Sequence, residues 1–393
     1  MTGASAEARR RPAHKRWPIR SVGLIILLMV VVPADPAGAH VKWFSEFDFA
    51  DRPRSLPEVV TGGFVAMTLV AMVVVSVGVV LDQRLDGSGW YRRINDWLQS
   101  QEEYATTVIR LAMAAVLLVS WEGEALLTPE LAEEASWIGW YQLLLVGLLV
   151  FGRTARIGGA GIVALWVMAV GYHGIFHMLD YLHYIGIGIY LYLSDEHEKR
   201  LADLGLPVLY ATVGFALIWA GFEKLVYPQW GMLLLDENPQ LALGLSPEQF
   251  LQGAAFTEIT LGFLLIIGLL ERPLASVITM VFISTTLVFG RVELVGHTPL
   301  HAALVVFLIS GPATAYPAPI DIDHRTDRRM AFAAMSFGVI LAVFSLAYIG
   351  SARAQFDDVR TADTRAGREV QSGSSPPPGT AKVLIDPGGP GDQ

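Results

Sequence analysis

The chain has 393 residues, of which 53% are hydrophobic and 17% charged, with a mean hydropathy of +0.46. Such a composition excludes an ordinary soluble domain and marks a polytopic membrane protein. Cysteine is absent, which excludes disulfides, cysteine-bound zinc, iron–sulfur clusters and thiol chemistry; the net charge of −9, with no basic cluster in the loops, excludes nucleic acid as a partner.

The first 39 residues read as a secretory signal peptide. Arg9, Arg10, Arg11, Lys15, Arg16 and Arg20 form a basic start, and residues 21–32 form one apolar run. That run is shorter than the roughly 20 residues of a spanning helix. Pro33, Pro36 and Gly38 break it, and Ala37-Gly38-Ala39 has the small-x-small form that signal peptidase accepts. Cleavage there makes His40 the mature N-terminus; an uncleaved anchor is the alternative. Residues 40–57 then form an exported segment, with Trp43, Phe44, Phe47 and Phe49 placed to lie on the membrane surface.

Ten apolar runs follow, at 59–81, 108–121, 137–151, 157–172, 178–193, 206–221, 253–270, 273–289, 299–311 and 330–349. Several are short, so their helices are expected to extend into the flanking polar residues. The first helix and its loop occupy 58–104. The tail from 350 to 393, with "SGSSPPPG", is expected to be disordered.

Basic residues set the orientation. With His40 outside, Arg84, Arg92, Arg93, Arg153, Arg156, Lys199, Arg200, Arg272, Arg325, Arg328 and Arg329 all fall inside. The outside loops keep Lys224 as their main cation. The reading is a multi-pass protein of the bacterial inner membrane, with the mature N-terminus and the C-terminal tail outside.

An internal duplication is visible. In "WEGEALLTPEL" and "WAGFEKLVYPQW", with one inserted residue, Trp121 matches Trp219, Gly123 matches Gly221, Glu124 matches Glu223 and Pro129 matches Pro228. Each segment follows one apolar helix and precedes another that has a mid-span glycine. Residues 105–195 and 205–311 therefore read as two four-helix units. Four is an even number, so the copies share one orientation. The predicted fold is all-α: a polytopic transmembrane bundle of two parallel four-helix repeats with flanking helices.

"LIWAGFEKLVYP", the following helix with "IIGLLERP", and "ELVGHTPLHAALVVFLISG" resemble the DoxX-like membrane proteins. Gly221, Lys224, Leu225 and Pro228 fit that family's segment at the end of its first helix, whereas Ala125 replaces the lysine in the first copy. The resemblance implies a four-helix membrane unit. Through one branch of the family it also implies a subunit of quinone-linked oxidation, working with a membrane or periplasmic redox partner. Glu124, Glu223 and Lys224 are then the candidates to bind the quinone.

The polar residues at the predicted outer boundary are the other candidates. In "GYHGIFHMLDYLHYIG", His173, His177 and Asp180 are spaced i, i+4, i+7, one face of a helix, and His183 lies a turn beyond. The second copy has Glu293, His297 and His301, with Pro299 interrupting their helix. Imidazole and carboxylate are ligands for copper, zinc or iron, so His40, His173, His177, Asp180, His183, Glu122, His297 and His301 are candidate metal ligands. Interfacial polarity, or a hydrogen-bond network between the copies, is the competing account of the same residues. Two rivals to a redox subunit remain at this point. A small-solute or metal-ion transporter needs polar groups through the whole span, and a scaffold needs none.

Overall fold

The computed structural model describes residue 42 and residues 47–311 and 325–371. His40 and the cleavage site expected at Ala37-Gly38-Ala39 lie outside these. All regular structure among the described residues is helical, apart from one isolated bridge between Ala125 and Ala132. The chain is an all-α polytopic membrane protein, and its described residues include seven helices long and apolar enough to cross a bilayer and two shorter apolar ones.

The helix α1 spans Gly62–Asp86 and starts where the Thr61 side chain accepts the Phe64 N–H. Its valines are poor helix formers in water, but in lipid only a helix satisfies each backbone group within the segment. Leu69, Val73 and Val77 face outward, as a lipid-facing helix requires. A short surface helix, α2 (Gly89–Gln99), leads to the first four-helix group. This comprises α3 (Ala105–Glu122), α4 (Ser136–Val150), α5 (Ala155–His173) and α6 (His183–Leu193). The second group begins with α7 (Gly205–Val226), crosses the bundle end as α8 (Pro228–Glu237), and returns as α9 (Pro247–Ile266).

It closes with α10, Glu271–Ser310, which is two arms, 271–289 and 291–310, meeting at Gly290 with φ 73°. The arms fold back on each other. Phe282 stacks on His297 at 4.3 Å between ring centroids near the turn, and Arg272 donates from Nε to the Leu308 carbonyl at 2.9 Å at the open end. The two runs expected here are thus one helical hairpin. Pro299 sits inside the second arm without ending it, and the non-helical residue is Gly290.

Neighbours pack in chain order within each group, α6 lies against α7, and α10 lies against α3. Contact between α7 and α9 is close because both carry glycine at the crossing: a Cβ at Gly214 would lie 2.6 Å from the Gly262 carbonyl oxygen. The glycine-rich "GRTARIGGAGI" serves the same purpose between α5 and α6, with Gly159 against Gly188.

Two expectations need correction. The run 178–193 is not one helix: α5 ends at His173 because Gly174 adopts φ 80°, and 175–181 are single turns before α6. The last helix, α11, does not stop near Ile349 but runs from Thr326 to Gln371. Its polar half contains no proline, and from Ser351 to Ala366 no glycine, so nothing in it breaks the helix. Residues 372–393 lie outside the described residues.

Candidate functional site

At the end of the bundle where α7 terminates, three chain segments bring charge into the interior. Lys42 Nζ lies 2.5 Å from Asp180 Oδ2 and 2.7 Å from Glu223 Oε2, and none of the three side chains is more than 2% exposed. Asp180 comes from the turns after α5, and Glu223 from the last turn of α7. Residues 47–54 are held against the same bundle end by the Arg54 N–H on the Val226 carbonyl and by Trp230 Nε1 on Asp51 Oδ2 at 2.7 Å. Rings of Phe47, Phe49 and Trp230 stand 5.6–5.8 Å from the ammonium, close enough for cation–π attraction.

Two acids share one cation. For Asp180, burial and the Glu223 charge outweigh Lys42 and push its carboxyl up to about 6. For Lys42, burial alone would lower its ammonium, but Asp180, Glu223 and Glu130 outweigh it and hold it above its ordinary value.

Beside this triad, His177 Nε2 lies 2.6 Å from Glu130 Oε1, with both side chains buried. Glu130 arrives on the loop after α3. That loop is folded by Gln142, which accepts from the Leu127 N–H and donates to the Ala125 carbonyl, and by Tyr184, which donates to the Leu127 carbonyl.

A chamber adjoins the triad and shares Asp180 with it. Its carboxylate, imidazole and ammonium lining is Asp180, His183, Lys224, Glu258, Glu293 and His297, drawn from both four-helix groups, with Tyr181 and Thr285 beside them. Its cavity volume is about 110 Å³. Val281 lines it and is 41% exposed, so the mouth opens onto the apolar flank of the bundle beside the first arm of α10. Lys224 Nζ donates to Glu258 Oε2 at 2.7 Å, and Glu293 Oε1 lies 3.0 Å from His297 Nδ1.

The sequence-derived candidates separate into groups. Asp180, His183, Lys224 and His297 line the chamber, and His301 stands edge-on to Phe282 beside it. Glu223 belongs to the triad, whereas Lys224, about 100° further round α7, pairs with Glu258. His173 and His177 are 6.3 Å apart between ring centroids. Gly174 breaks the helix between them, so His173, His177 and Asp180 do not share a helical face; His177 turns to Glu130 and Asp180 to Lys42. Glu122 and Glu124 are exposed past the chamber. The Trp-x-Gly motif ends α3 at Glu122 but lies within α7, so the matched acids Glu124 and Glu223 have different surroundings. Among the described residues, no group of three or more histidines or carboxylates is arranged to hold a metal ion.

Lys42, Glu130 and Glu258 were not singled out from sequence. Lys42 belongs to no motif, and its partners are 138 and 181 positions away. Glu258 had a usable trace, being one carboxylate inside an apolar spanning run.

The family model described as DoxX matches residues 208–291. That stretch covers most of α7, then α8, α9 and the first arm of α10, and so supplies Lys224 and Glu258 to the chamber. No curated protein and no solved structure matches the chain.

Proposed function

From a chain with a DoxX-like domain at residues 208–291, we propose a redox-associated membrane subunit that exchanges protons with a quinone at the chamber between the two helical groups. The observation that carries this reading is the chamber itself: six ionisable side chains, from α6, α7, α9, α10 and the turn before α6, facing a mouth on the apolar flank. Intramembrane ionisable groups are costly and mark proton or ligand sites.

The lining has the right chemistry for a quinone head. Reducing a quinone takes two electrons and two protons, and oxidising the quinol returns them. Lys224 and the imidazoles of His183 and His297 supply donors for carbonyl oxygens. Asp180, Glu258 and Glu293 can hold or pass a proton. The enclosed part has room for several waters but not for a whole ring. With the enclosed part this small, the head is served at the mouth, from the lipid side, with water behind it. Electrons pass to a separate membrane or periplasmic partner.

Transport across the whole span has less support. Towards the opposite end, Tyr210 stacks on Phe307 at 3.7 Å within an apolar core, and Arg110 and Arg272 there are held by backbone carbonyls. The same reading takes the two groups as copies of one unit, with α6 on α7 mirrored by α10 on α3, and places the triad and chamber on the outer face. An azido-quinone irradiated with the protein in lipid nanodiscs tests it. Label competed off by plain quinone is expected on peptides carrying 216–224, 258 and 281–297. Label confined to α1 and α11, or not competed, contradicts it.

A further inference from the structure

A second hollow, of about 440 Å³, lies at the bundle end and is lined by Arg54, Glu58, Thr61, Glu248, Gln252 and Lys224. Glu58, Thr61 and Glu248 are exposed, so this vestibule opens to water. Lys224 lines both the vestibule and the buried chamber. Its stem stands between them, and its ammonium is tied on the chamber side to Glu258 at 2.7 Å and to the Ala220 carbonyl at 3.3 Å. The side chains of Lys224 and Glu258 are 16% and 28% exposed, so the pair is reached from outside without being open to it.

We propose that the Lys224–Glu258 ion pair is the gate of a water path from the vestibule into the chamber, and that this path carries protons between bulk water and the chamber carboxylates. The inference rests on the proton-exchange reading above and gives it a route. The quinone mouth beside Val281 faces lipid, and protons cannot reach the chamber through lipid. The vestibule is the wet hollow that shares a wall with the chamber, and that shared wall is Lys224. A lysine suits the position. Its flexible four-carbon stem lets the ammonium swing from Glu258 to the vestibule acids Glu58 and Glu248, and the swing gives up only the Glu258 pair and the long bond to the Ala220 carbonyl. When it leaves, Glu258 faces water and can take or release a proton.

The absence of cysteine makes a direct test available. Thr285 lines the chamber, and Thr285→Cys places one thiol there. Its rate of modification by a membrane-impermeant cationic methanethiosulfonate, in nanodiscs, reads access from water. With the gate intact the rate is slow. Lys224→Ala should speed it about five-fold, the weight of a part-exposed ion pair. Glu258→Gln, which keeps the packing and removes the pair, should do the same should the alanine variant fail to fold. Gln252→Trp, filling the vestibule, should return either rate towards the starting value. A rate unchanged by both gate variants, or indifferent to the vestibule tryptophan, overturns the proposal. No quinone enters this assay, so its result stands apart from the photolabelling.

Discussion

Replacing Lys42 with methionine isolates the energetics of the buried triad. Methionine keeps most of the volume and removes the charge, leaving Asp180 and Glu223, each with a side chain no more than 2% exposed, without their shared cation. Breaking a buried pair by deleting one partner costs about 3–5 kcal/mol. The molecule can instead protonate a carboxyl. From an ordinary pKa near 4, that costs about 4 kcal/mol at pH 7, so the escape sets a bound of the same size. The expected loss is therefore about 3–5 kcal/mol of unfolding free energy, read by titrating the detergent-solubilised protein with SDS at pH 7. The triple variant K42M/D180N/E223Q removes all three charges and should recover at least half of the loss. A K42M protein within about 0.5 kcal/mol of the parent, the range of an unremarkable surface change, would refute the argument. So would a triple variant no more stable than K42M.

Three further outcomes follow from the same geometry. The Asp180 carboxyl is pushed up to about 6 in the fold from its ordinary value of 3.8, so the folded state holds this proton more tightly. Its contribution is full below about pH 4 and is lost as pH rises through 6; Asp180→Asn should flatten the fall in melting temperature between pH 4 and 7. Gly214→Val pushes a side chain against the Gly262 carbonyl and should cost about 3 kcal/mol or more in the same SDS titration. Arg272→Met leaves the Leu308 and Ile309 carbonyls without their donor at the open end of the hairpin, a loss of about 1–3 kcal/mol that quicker proteolysis near Gly311 should report.

The fold was legible where it depends on composition along the chain. Apolar runs marked each spanning helix, because a bilayer demands continuous apolar length and internal hydrogen bonding. It was less legible where one residue's backbone decides. Gly174 at φ 80° ends α5 and turns Asp180 towards Lys42, while Gly290 at φ 73° folds α10 into a hairpin, yet nothing local separates these glycines from those inside α5. The site was half legible. Lys224, Asp180, His183 and His297 are polar residues at membrane level and declared themselves. Lys42 and Glu130 lie in segments where charge is ordinary, and only tertiary packing buries them. The Glu124–Glu223 match shows the limit of motif comparison: the same letters end one helix and lie inside the other.

The central claim is that the chamber receives a quinone head. A titration of decylubiquinone into the purified protein in nanodiscs, followed by quenching of tryptophan fluorescence, tests it most directly. The parent should bind saturably, with Kd on the order of micromolar. E258Q/H297A removes one proton carrier and one donor from the lining, and should weaken binding at least about ten-fold, the loss of about 1.4 kcal/mol. Binding that does not saturate, or a double variant that binds as well as the parent, would contradict the account.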